Sequence, residues 1–229
     1  TPGVVLASAA KEYLKVYGVL VGKKPLIFTN NDSAYETAIE FKKNNINPII
    51  LDTRKNPDSE IISEAKNMGI EMKFSYVVVA AKGYKKVNSA EIANISEDKK
   101  DLGKIENITC DCICVSGFWT PTIHLASQSG NKTTFNQEID AFVPGKSKQN
   151  ETTVGSANGI FSLEKTITTA FEKGHEISKK ITSKNNKISV PQVSEKKFTQ
   201  HDKFWCVPLP KEKNYKRFLD FQNDVTVSD

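Results

Sequence analysis

The period of the apolar positions changes several times along the chain, and the clearest change begins at residue 26. A continuous apolar run at 26–28 is followed by turn-forming asparagines and then by apolar residues at helical spacing. A second continuous run, at 49–51, ends in Asp52. The pattern predicts a strand, a tight turn, a helix capped by Asp32 or Ser33, and a second buried strand.

This succession of elements is the outline of a dinucleotide-binding unit, in which an acid about twenty residues after the turn binds the ribose. The outline lacks its glycines. Thr29 and Asn31 stand where glycine would let the backbone approach the pyrophosphate, and only Ala34 is small. We therefore predict a Rossmann-like unit that has lost its nucleotide, and we expect Asp52 to cap its strand rather than bind a ribose.

Weaker patterns on both sides predict further elements. Each combines apolar residues at strand or helix spacing with a turn former or capping residue at its end. They are a helix at 6–17, a helix at 60–67, a hairpin of strands at 74–81 and 85–94, a buried strand at 110–116, and a helix from Ile160 to about Lys173 that Gly174 ends. Residues 97–104 are mostly charged, and we expect them to cross the surface.

Charge and composition exclude two kinds of partner. The net charge is +5, but arginine occurs only at positions 54 and 217, and the lysines are mixed with Asp and Glu. Because arginine is the residue that binds phosphate and guanine through paired hydrogen bonds, this composition argues against a nucleic-acid partner. No run is apolar enough to span a membrane and no signal peptide is visible, so we expect no membrane partner.

Three of the four cysteines, Cys110, Cys112 and Cys114, alternate along one apolar run, and Cys206 lies far from them. Alternate residues of a strand are about 7 Å apart. This spacing is too long for neighbouring thiolates to share one tetrahedral zinc ion, so we predict no metal site. Buried free thiols are typical of a reducing compartment, which favours the cytoplasm.

Two glycine-containing turns are the candidate ligand-binding positions. Each follows an apolar segment and puts small residues where a helix begins, and free N–H groups at a helix start favour an anion. We predict that the pair helps to complete a dinucleotide site; the alternative is ordinary turns that use glycine for their geometry. The candidate cofactor-binding residues are Ser116, Gly117, Gly155, Ala157, Asn158 and Gly159. No set of catalytic side chains is predicted in this chain.

Short blocks of sequence resemble, in order, the alpha subunit of heterotetrameric sarcosine oxidase. The blocks cover nearly the whole chain, and the last, Asp-Phe-Gln-Asn-Asp-Val-Thr, is the most specific. They lie at 30–35, 110–117, 124–130, 142–145, 154–159 and 220–226. Phe118 and Thr120 depart from the family, where Gly and Asn are common, and this weakens the expectation of close ligand approach at that turn.

The resemblance implies an enzyme activity that belongs to a whole complex. The family oxidises the N-methyl group of sarcosine, giving glycine, hydrogen peroxide, and formaldehyde or methylenetetrahydrofolate. The implied cofactors are NAD, with FMN and FAD in the holo-complex, and tetrahydrofolate is the implied co-substrate. The implied partners are the beta, gamma and delta subunits. Because the flavin chemistry belongs largely to the beta subunit, the resemblance implies that this chain alone is inactive.

The chain begins with Thr1 and stops at Asp229 without a terminating pattern, so we expect a fragment of a longer alpha subunit. The predicted fold is α/β, with a Rossmann-like domain inserted in a first dinucleotide-binding domain and followed by the completion of that domain. The predicted divisions are an entry segment at 1–22, the inserted pyridine-nucleotide-type domain at 23–100, the return to the first domain at 101–175, a flexible linker at 176–203 and a truncated downstream region at 204–229.

Two alternatives remain open at this point. One is the alpha subunit of a related proline or opine dehydrogenase, which has the same architecture. The other is an assembly module that keeps the enzymatic fold and has lost ligand binding. A glycine-rich dinucleotide loop upstream would argue against the second alternative, and a folate-binding domain downstream would exclude the first.

Overall fold

The chain forms two compact units, which are described one at a time. The first contains Thr1–Phe118 and Phe198–Asp229, and the second contains Trp119–Lys197. The structure is a computed structural model, and it describes residues 1–117, 119–182, 189–194, 202–210, 218–220, 222–223 and 225–226. No helix within these ranges is both long and apolar enough to cross a membrane.

The first unit alternates strands and helices, continues into an antiparallel region, and returns to the parallel sheet at the strand Cys112–Ser116. Its elements are β1 (Val4–Leu6), α1 (Ala7–Tyr17), β2 (Pro25–Thr29), α2 (Ser33–Lys43), β3 (Ile49–Asp52), α3 (Glu60–Asn67), β4 (Glu71–Phe74), β5 (Tyr76–Gly83), β6 (Val87–Ile95), β7 (Leu102–Thr109) and β8 (Cys112–Ser116). Five of these strands form a parallel sheet in the order β1-β8-β2-β3-β4, and β5, β6 and β7 form an antiparallel sheet. The predicted α/β fold is therefore confirmed.

The parallel sheet is covered on both faces. Ile27 packs with the apolar faces of α1, α2 and α3, whereas its neighbour Leu26 packs with residues of the antiparallel sheet, such as Val87 and Ile92. Leu26 and Ile27 are at most 1% exposed. Burial on both faces explains why the central strands have continuous apolar runs instead of alternating ones.

The order of the strands defines where a ligand binds in a fold of this class. β2 pairs in parallel with β3 on one side and with β8 on the other. The chain moves outward from β2 to β3 and β4 and returns to the opposite side of β2 only at β8. Ligands of open α/β sheets bind outside the carboxyl ends of the strands at such a reversal, which here lies between β2 and β8.

Three strands depart from the sequence prediction. Residues 102–104 were expected within a charged surface crossing, but they begin β7, which pairs with β6. Phe74 was expected in the hairpin, but it ends β4 beside β3. The edge strand β1 lies within the predicted entry segment. These strands are short or carry polar side chains on an uncovered face, so they lack the apolar run that the prediction required.

The first compact unit extends past the residue at which the inserted domain is predicted to end. The inserted domain was expected to end near residue 100, but β7 continues the antiparallel sheet and β8 completes the parallel sheet between β1 and β2. The compact unit therefore extends to Phe118. The interpretation of later residues as the return to a first dinucleotide-binding domain stays a prediction.

The described residues of the second unit form two helices, a small hairpin and a 3-10 turn. Its elements are α4 (His124–Gln128), β9 (Thr133–Asn136), β10 (Ala141–Pro144), the 3-10 turn (Gly155–Asn158) and α5 (Leu163–Thr182). β9 and β10 pair antiparallel, and Phe135 lies edge-on to Phe142 across them, with ring centroids 5.3 Å apart. In the carboxyl-terminal part of the first unit, β11 (Phe218–Asp220) pairs with β12 (Val225–Thr226).

Helix α5 corrects two predicted boundaries. It begins at Leu163 rather than Ile160, and it passes through Gly174 to Thr182 instead of stopping at Gly174. Residues 176–182 of the predicted linker are therefore helical. Of the remaining linker residues, those at 183–188 and 195–201 lie outside the described residues.

Candidate functional site

The turn after β2 is closed by its own side chains. Thr29 Oγ1 donates to the carbonyl oxygen of Asn31 at 2.9 Å, and Asn31 N–H donates back to Thr29 Oγ1 at 3.1 Å. The Asn31 carboxamide oxygen accepts from Ser33 N–H at 2.9 Å and from the Ser33 hydroxyl at 2.6 Å. Asn31 therefore caps α2, and the prediction that Asp32 or Ser33 does so is wrong. The reason is that Asp32 is bound elsewhere.

Asp32 and Asp52 share a single guanidinium. Arg54 Nη1 lies 2.7 Å from Asp32 Oδ1, and Arg54 Nη2 lies 2.7 Å from Asp52 Oδ2. Arg54 Nε and the Arg54 backbone N–H also donate to Asp52 Oδ1, at 3.0 and 2.9 Å. The Tyr35 hydroxyl adds a hydrogen bond to Asp52 at 2.7 Å. We call Asp32, Tyr35, Asp52 and Arg54 the arginine cluster.

The side chains of the arginine cluster are almost completely buried, and this burial affects the pKa values of Arg54 and Tyr35. The side chains of both aspartates are 0% exposed and that of Arg54 is 10% exposed. Burial by itself lowers the pKa of Arg54, but the hydrogen bonds and charges of Asp52 and then Asp32 outweigh burial and raise this pKa above its ordinary value. Burial, followed by the charge of Asp52, raises the pKa of Tyr35, so its hydroxyl stays protonated and donates.

Ser116 and Gly117 lie at the reversal of the strand order, as a ligand site of this fold requires, but Ser116 Oγ and the Gly117 carbonyl oxygen have protein partners. The Asn31 amide donates to the Gly117 carbonyl oxygen at 2.7 Å and to Ser116 Oγ at 3.3 Å. Ser33 Oγ lies 3.1 Å from Ser116 Oγ. Asn31 therefore joins the carboxyl ends of β2 and β8 across the crevice where a ligand would lie.

A later part of the chain lies over the same edge of the sheet. Asp202 N–H donates to the Asn30 carbonyl oxygen at 2.9 Å, and the Asn30 amide donates to the Asp202 carbonyl oxygen at 2.9 Å. The Asp202 carboxylate accepts from Thr53 Oγ1 at 3.2 Å and forms an ion pair with Lys99. Asn30 follows β2 and Thr53 follows β3, so the segment lies over both strand ends.

NAD does not fit at this edge. A dinucleotide requires a bare backbone turn for its pyrophosphate, an acid with a free oxygen for its ribose, and an open crevice. Asn31 fills the turn and bridges the crevice, Asp52 is bonded to Arg54 and Tyr35, and Asp202 lies over the ends of β2 and β3. These contacts support the prediction that the unit has lost its nucleotide, and they make Asp52 a structural acid.

The second candidate turn uses its glycines for geometry and packing. Gly155 and Gly159 have φ values of 67° and 77°, which side chains rarely adopt. A Cβ at Gly159 would lie 2.6 Å from Ile139 Cδ1, and one at Gly155 would lie 2.9 Å from Thr166 Cγ2. The space next to both glycines is therefore filled by side chains of the same unit, and ligand binding at this turn stays a prediction.

This turn also does not provide the start of the long helix. Ser162 caps α5, because its Oγ accepts from Lys165 N–H at 3.3 Å and its carbonyl oxygen accepts from Thr166 N–H at 2.9 Å. The N–H groups of Gly159 and Ile160 donate to carbonyl oxygens within the turn. The predicted array of free N–H groups at the head of the helix is therefore not formed by 155–159.

Asn158 has an uncommitted polar side chain in this turn. It is half-buried, as is its neighbour Ala157, and its amide makes no hydrogen bond to any residue in the described ranges. Ser116 and Gly117 lie in the first unit, whereas Gly155, Ala157, Asn158 and Gly159 lie in the second. The six candidate residues are therefore divided between the units.

The cysteines are free, as predicted. Cys112 and Cys114 belong to the core under the helices, and Cys110 belongs to the core between the two sheets. Burial, and then the charges of Cys112 and Asp111, raise the pKa of Cys110 to about 11. A hydrogen bond to Cys114, followed by burial, raises the pKa of Cys112. Cys206 is exposed.

Sequence reasoning missed Tyr35, Arg54 and Asp202. Arg54 follows Asp52 by two residues, which was a usable signal, because a buried strand-end acid needs a cation nearby. Asp202 is separated from Thr53 by 149 residues, and no local pattern links them.

Comparison with solved structures defines the class of fold. The structure is similar to thioredoxin reductase from Lactococcus lactis with a TM-score of 0.55, over 80% of this chain and 57% of that chain, at 18% sequence identity. The chain therefore has an α/β fold similar to that of thioredoxin reductase. No family model matches the chain.

Comparison with curated proteins confirms the resemblance to sarcosine oxidase alpha subunits. The chain is 29% identical over its whole length to sarcosine oxidase subunit alpha from Corynebacterium sp. strain P-1, of which it covers 24%. It is also 29% identical over its whole length to sarcosine oxidase subunit alpha from Rhizobium meliloti strain 1021, of which it covers 22%. The chain thus spans about a quarter of the length of these relatives.

Proposed function

We propose that this chain is part of the alpha subunit of a sarcosine oxidase. The observation that carries the proposal is the similarity of the whole chain to sarcosine oxidase alpha subunits from two genera. The proposed reaction of the complete enzyme is the flavin-dependent oxidation of sarcosine to glycine, with hydrogen peroxide and formaldehyde or methylenetetrahydrofolate as further products. Its beta, gamma and delta subunits are the proposed partners, and the cytoplasm is the proposed location.

The proposed contribution of the first unit is structural. Its nucleotide edge is closed by Asn31, the arginine cluster and Asp202. This closure is also the observation that favours the second candidate function, an assembly module without ligand binding. The two candidates differ in whether the second unit takes part in a cofactor site.

The proposed contribution of the second unit is dinucleotide binding through the turn at 155–159. NAD, when bound to the whole subunit, would supply hydride transfer. Asn158 fits a role in holding it, because its amide is uncommitted and can donate to a ribose or phosphate oxygen. FMN, FAD and tetrahydrofolate are assigned to the complete enzyme rather than to these residues.

The second unit also has a surface suited to a subunit interface. The long helix α5 has no buried residue. Its side chains Phe171, Ile177 and Ile181 are 42%, 44% and 77% exposed. Exposed apolar side chains along one helix are typical of a protein interface, and we assign this helix to contact with another subunit of the complex.

The reaction is tested with the complete complex, purified after coexpression of its subunits. Sarcosine-dependent formation of hydrogen peroxide is the expected result. Oxidation of proline or an opine without oxidation of sarcosine would show that the enzyme is instead a related dehydrogenase. Absence of any amine oxidation, in a complex that assembles fully, would favour the assembly module.

The cofactor role is tested with Asn158→Ala in the same complex. Loss of one neutral hydrogen bond weakens binding by about 2- to 13-fold, so the NAD content per complex should fall at limiting NAD. The matched control is Asn150→Ala, which removes an exposed amide from the same unit. Equal NAD content in both variants and the wild type would remove Asn158 from the site.

A further inference from the structure

We propose that the carboxyl edge of the parallel sheet in the first unit is a docking site for an acidic peptide, and that the chain's own residues 202–204 occupy it. The edge at which folds of this class bind a nucleotide would thus bind a peptide in this chain. The peptide contributes a carboxylate, a backbone N–H, a backbone carbonyl group and an aromatic ring.

The backbone of the docked segment is recognised by one residue. Asn30 accepts from Asp202 N–H through its main-chain carbonyl oxygen and donates to the Asp202 carbonyl oxygen through its side-chain amide, both at 2.9 Å. These two hydrogen bonds satisfy both main-chain polar groups of Asp202. Because Asn30 is itself 5% exposed and fixed at the end of β2, it forms a rigid support for an extended peptide.

The carboxylate of the docked segment is recognised by two further loops. Thr53, directly after β3, donates its hydroxyl to Asp202 Oδ2 at 3.2 Å. Lys99, in the turn between β6 and β7, forms the ion pair with Oδ1. The side chain of Asp202 is 19% exposed and that of Lys99 is 26% exposed, so the pair is partly removed from water. Three loops from separate parts of the fold therefore meet at one acid.

The turn that carries Lys99 has an unusual backbone. Lys99 has a φ of 59°, in the left-handed region that non-glycine residues seldom adopt. The turn is held by hydrogen bonds from Lys99 N–H to the Ser96 carbonyl oxygen and from Ser96 N–H to the Asp101 carbonyl oxygen, both at 3.0 Å. Lys99 Nζ also lies 5.8 Å from the centre of the Phe204 ring, which adds a cation–π contact to the same segment.

Geometry favours a peptide acid over a phosphate at this position. A phosphate group of a nucleotide is normally held by successive N–H groups of a bare turn. Here the turn after β2 is filled by the Asn31 side chain, and the available groups are one hydroxyl, one ammonium and one asparagine that matches a peptide backbone. A docked peptide also covers the strand ends and therefore excludes a nucleotide from them.

Hydrogen exchange of the full chain, followed by mass spectrometry, tests whether Lys99 holds the segment. The Asp202 amide should be protected in the wild-type chain, and Lys99→Met should lower its protection by about 5-fold, as loss of a partly exposed ion pair implies. The matched control is Lys100→Met, which removes the same charge from the next residue, an exposed one. Equal protection in Lys99→Met and the wild type would overturn the proposal.

A peptide added in trans tests whether the edge is a binding site. A fluorescent peptide with the sequence of residues 198–205 should bind the full chain that carries Asp202→Ala, and bind the wild-type chain at least 10-fold more weakly, because the tethered segment competes. The same peptide with Asn in place of Asp202 should lose binding, as should the chain with both Asp202→Ala and Lys99→Met. Equal binding of both peptides would show that no carboxylate site exists.

The two measurements remain informative if Asp202→Ala folds poorly. In that case the exchange of the wild-type Asp202 amide is measured as salt rises from about 0.05 to 0.5 M, which shortens the screening length to a few ångströms. Protection that falls with salt supports docking through the ion pair. Protection that is unchanged, together with unchanged protection in Lys99→Met, contradicts it.

Discussion

At the scale of single residues, Arg54 connects the ends of two strands through two buried carboxylates. Its guanidinium contacts Asp32 after β2 and Asp52 at the end of β3. A buried ion pair contributes little more to the free energy of unfolding than apolar side chains would if they replaced all of its members. Loss of one member, however, leaves a buried charge without a counterion. The arginine cluster therefore makes the first unit sensitive to the loss of any one of its charges.

Arg54→Met should lower the free energy of unfolding of the first unit by about 3–5 kcal/mol, because two buried carboxylates lose their counterion. The measurement is urea denaturation monitored by circular dichroism. The control is Lys55→Met, because the exposed ion pair of Lys55 with Glu97 contributes little to the free energy of unfolding. Equal stability of the two variants would show that the cluster carries no such energy.

Part of this arrangement could be predicted from sequence. The loss of glycine at Thr29 and Asn31 and the structural role of Asp52 both follow from local chemistry. The cap of α2 could not be assigned between neighbouring residues, because the choice depends on whether Asp32 has another partner. That partner, Arg54, is 22 residues away and is positioned only by the completed sheet.

At the scale of secondary structure elements, α5 shows how side-chain pairs carry a helix past a glycine. Glu176 forms ion pairs with Lys173 and Lys180, which lower the pKa of Glu176 to about 2. The Lys173–Glu176 contact spans Gly174, the Glu176–Lys180 contact lies in the following turn, and Gly174 itself has no left-handed φ. A glycine ends a helix when the backbone reverses there, and the sequence alone does not show whether it does.

Gly174→Ala should raise the free energy of unfolding of the second unit by about 0.5–1 kcal/mol, because alanine loses less backbone entropy in a helix. Nothing lies within 4 Å of a Cβ placed at Gly174. The measurement is denaturation followed by circular dichroism at 222 nm, a wavelength at which helices dominate.

The matched control is Gly18→Ala, which also meets open space but lies at the left-handed end of α1, with a φ of 63°. This variant should lose about 1 kcal/mol. A gain at Gly18 or a loss at Gly174 would contradict the assignment of the two glycines to a helix end and a helix interior.

The elements that sequence predicted correctly are those with a strong period and a clear end. α2 and β3 have both, and their positions are confirmed. β1 has three residues, and β7 has half-buried apolar residues at every third position instead of every second, so their signals are weak. Their pairing partners, β8 and β6, supply most of the information that fixes them.

At the scale of the whole molecule, the buried cysteines lie in two separate hydrophobic cores, so their reactivity shows whether each core is closed. Cys112 and Cys114 lie under the helices, and Cys110 lies between the sheets. All three are at most 1% exposed. Because the thiolate is the reactive form, the raised pKa values of Cys110 and Cys112 slow their reaction further at pH 8.

One thiol per chain should react rapidly with a disulfide reagent at pH 8, and three should react only as the chain unfolds. The fast thiol should disappear in Cys206→Ser, because Cys206 is the exposed cysteine. The measurement is the time course of thiolate release with and without urea. Rapid reaction of two or more thiols in the native chain would show that a core is open.

The molecule as a whole was predictable in class but not in its contacts. The order of strand and helix patterns predicted an α/β fold, and the sequence blocks predicted the relatives that comparison confirms. The extent of the first unit was not predictable, since β8 joins the sheet between two strands that precede it by more than 80 residues. The contact of Asp202 with Lys99 was not predictable for the same reason, because the two residues are far apart in the sequence.

The closed edge of the first unit also has an evolutionary consequence. Glycine at position 31 would remove the cap of α2 and the link between β2 and β8, yet Asp52 would remain bound to Arg54. Loss of Arg54 would instead leave two buried acids without a counterion. Each single step toward a nucleotide site therefore lowers stability before any affinity is gained, and this cost opposes reversion by successive point mutations.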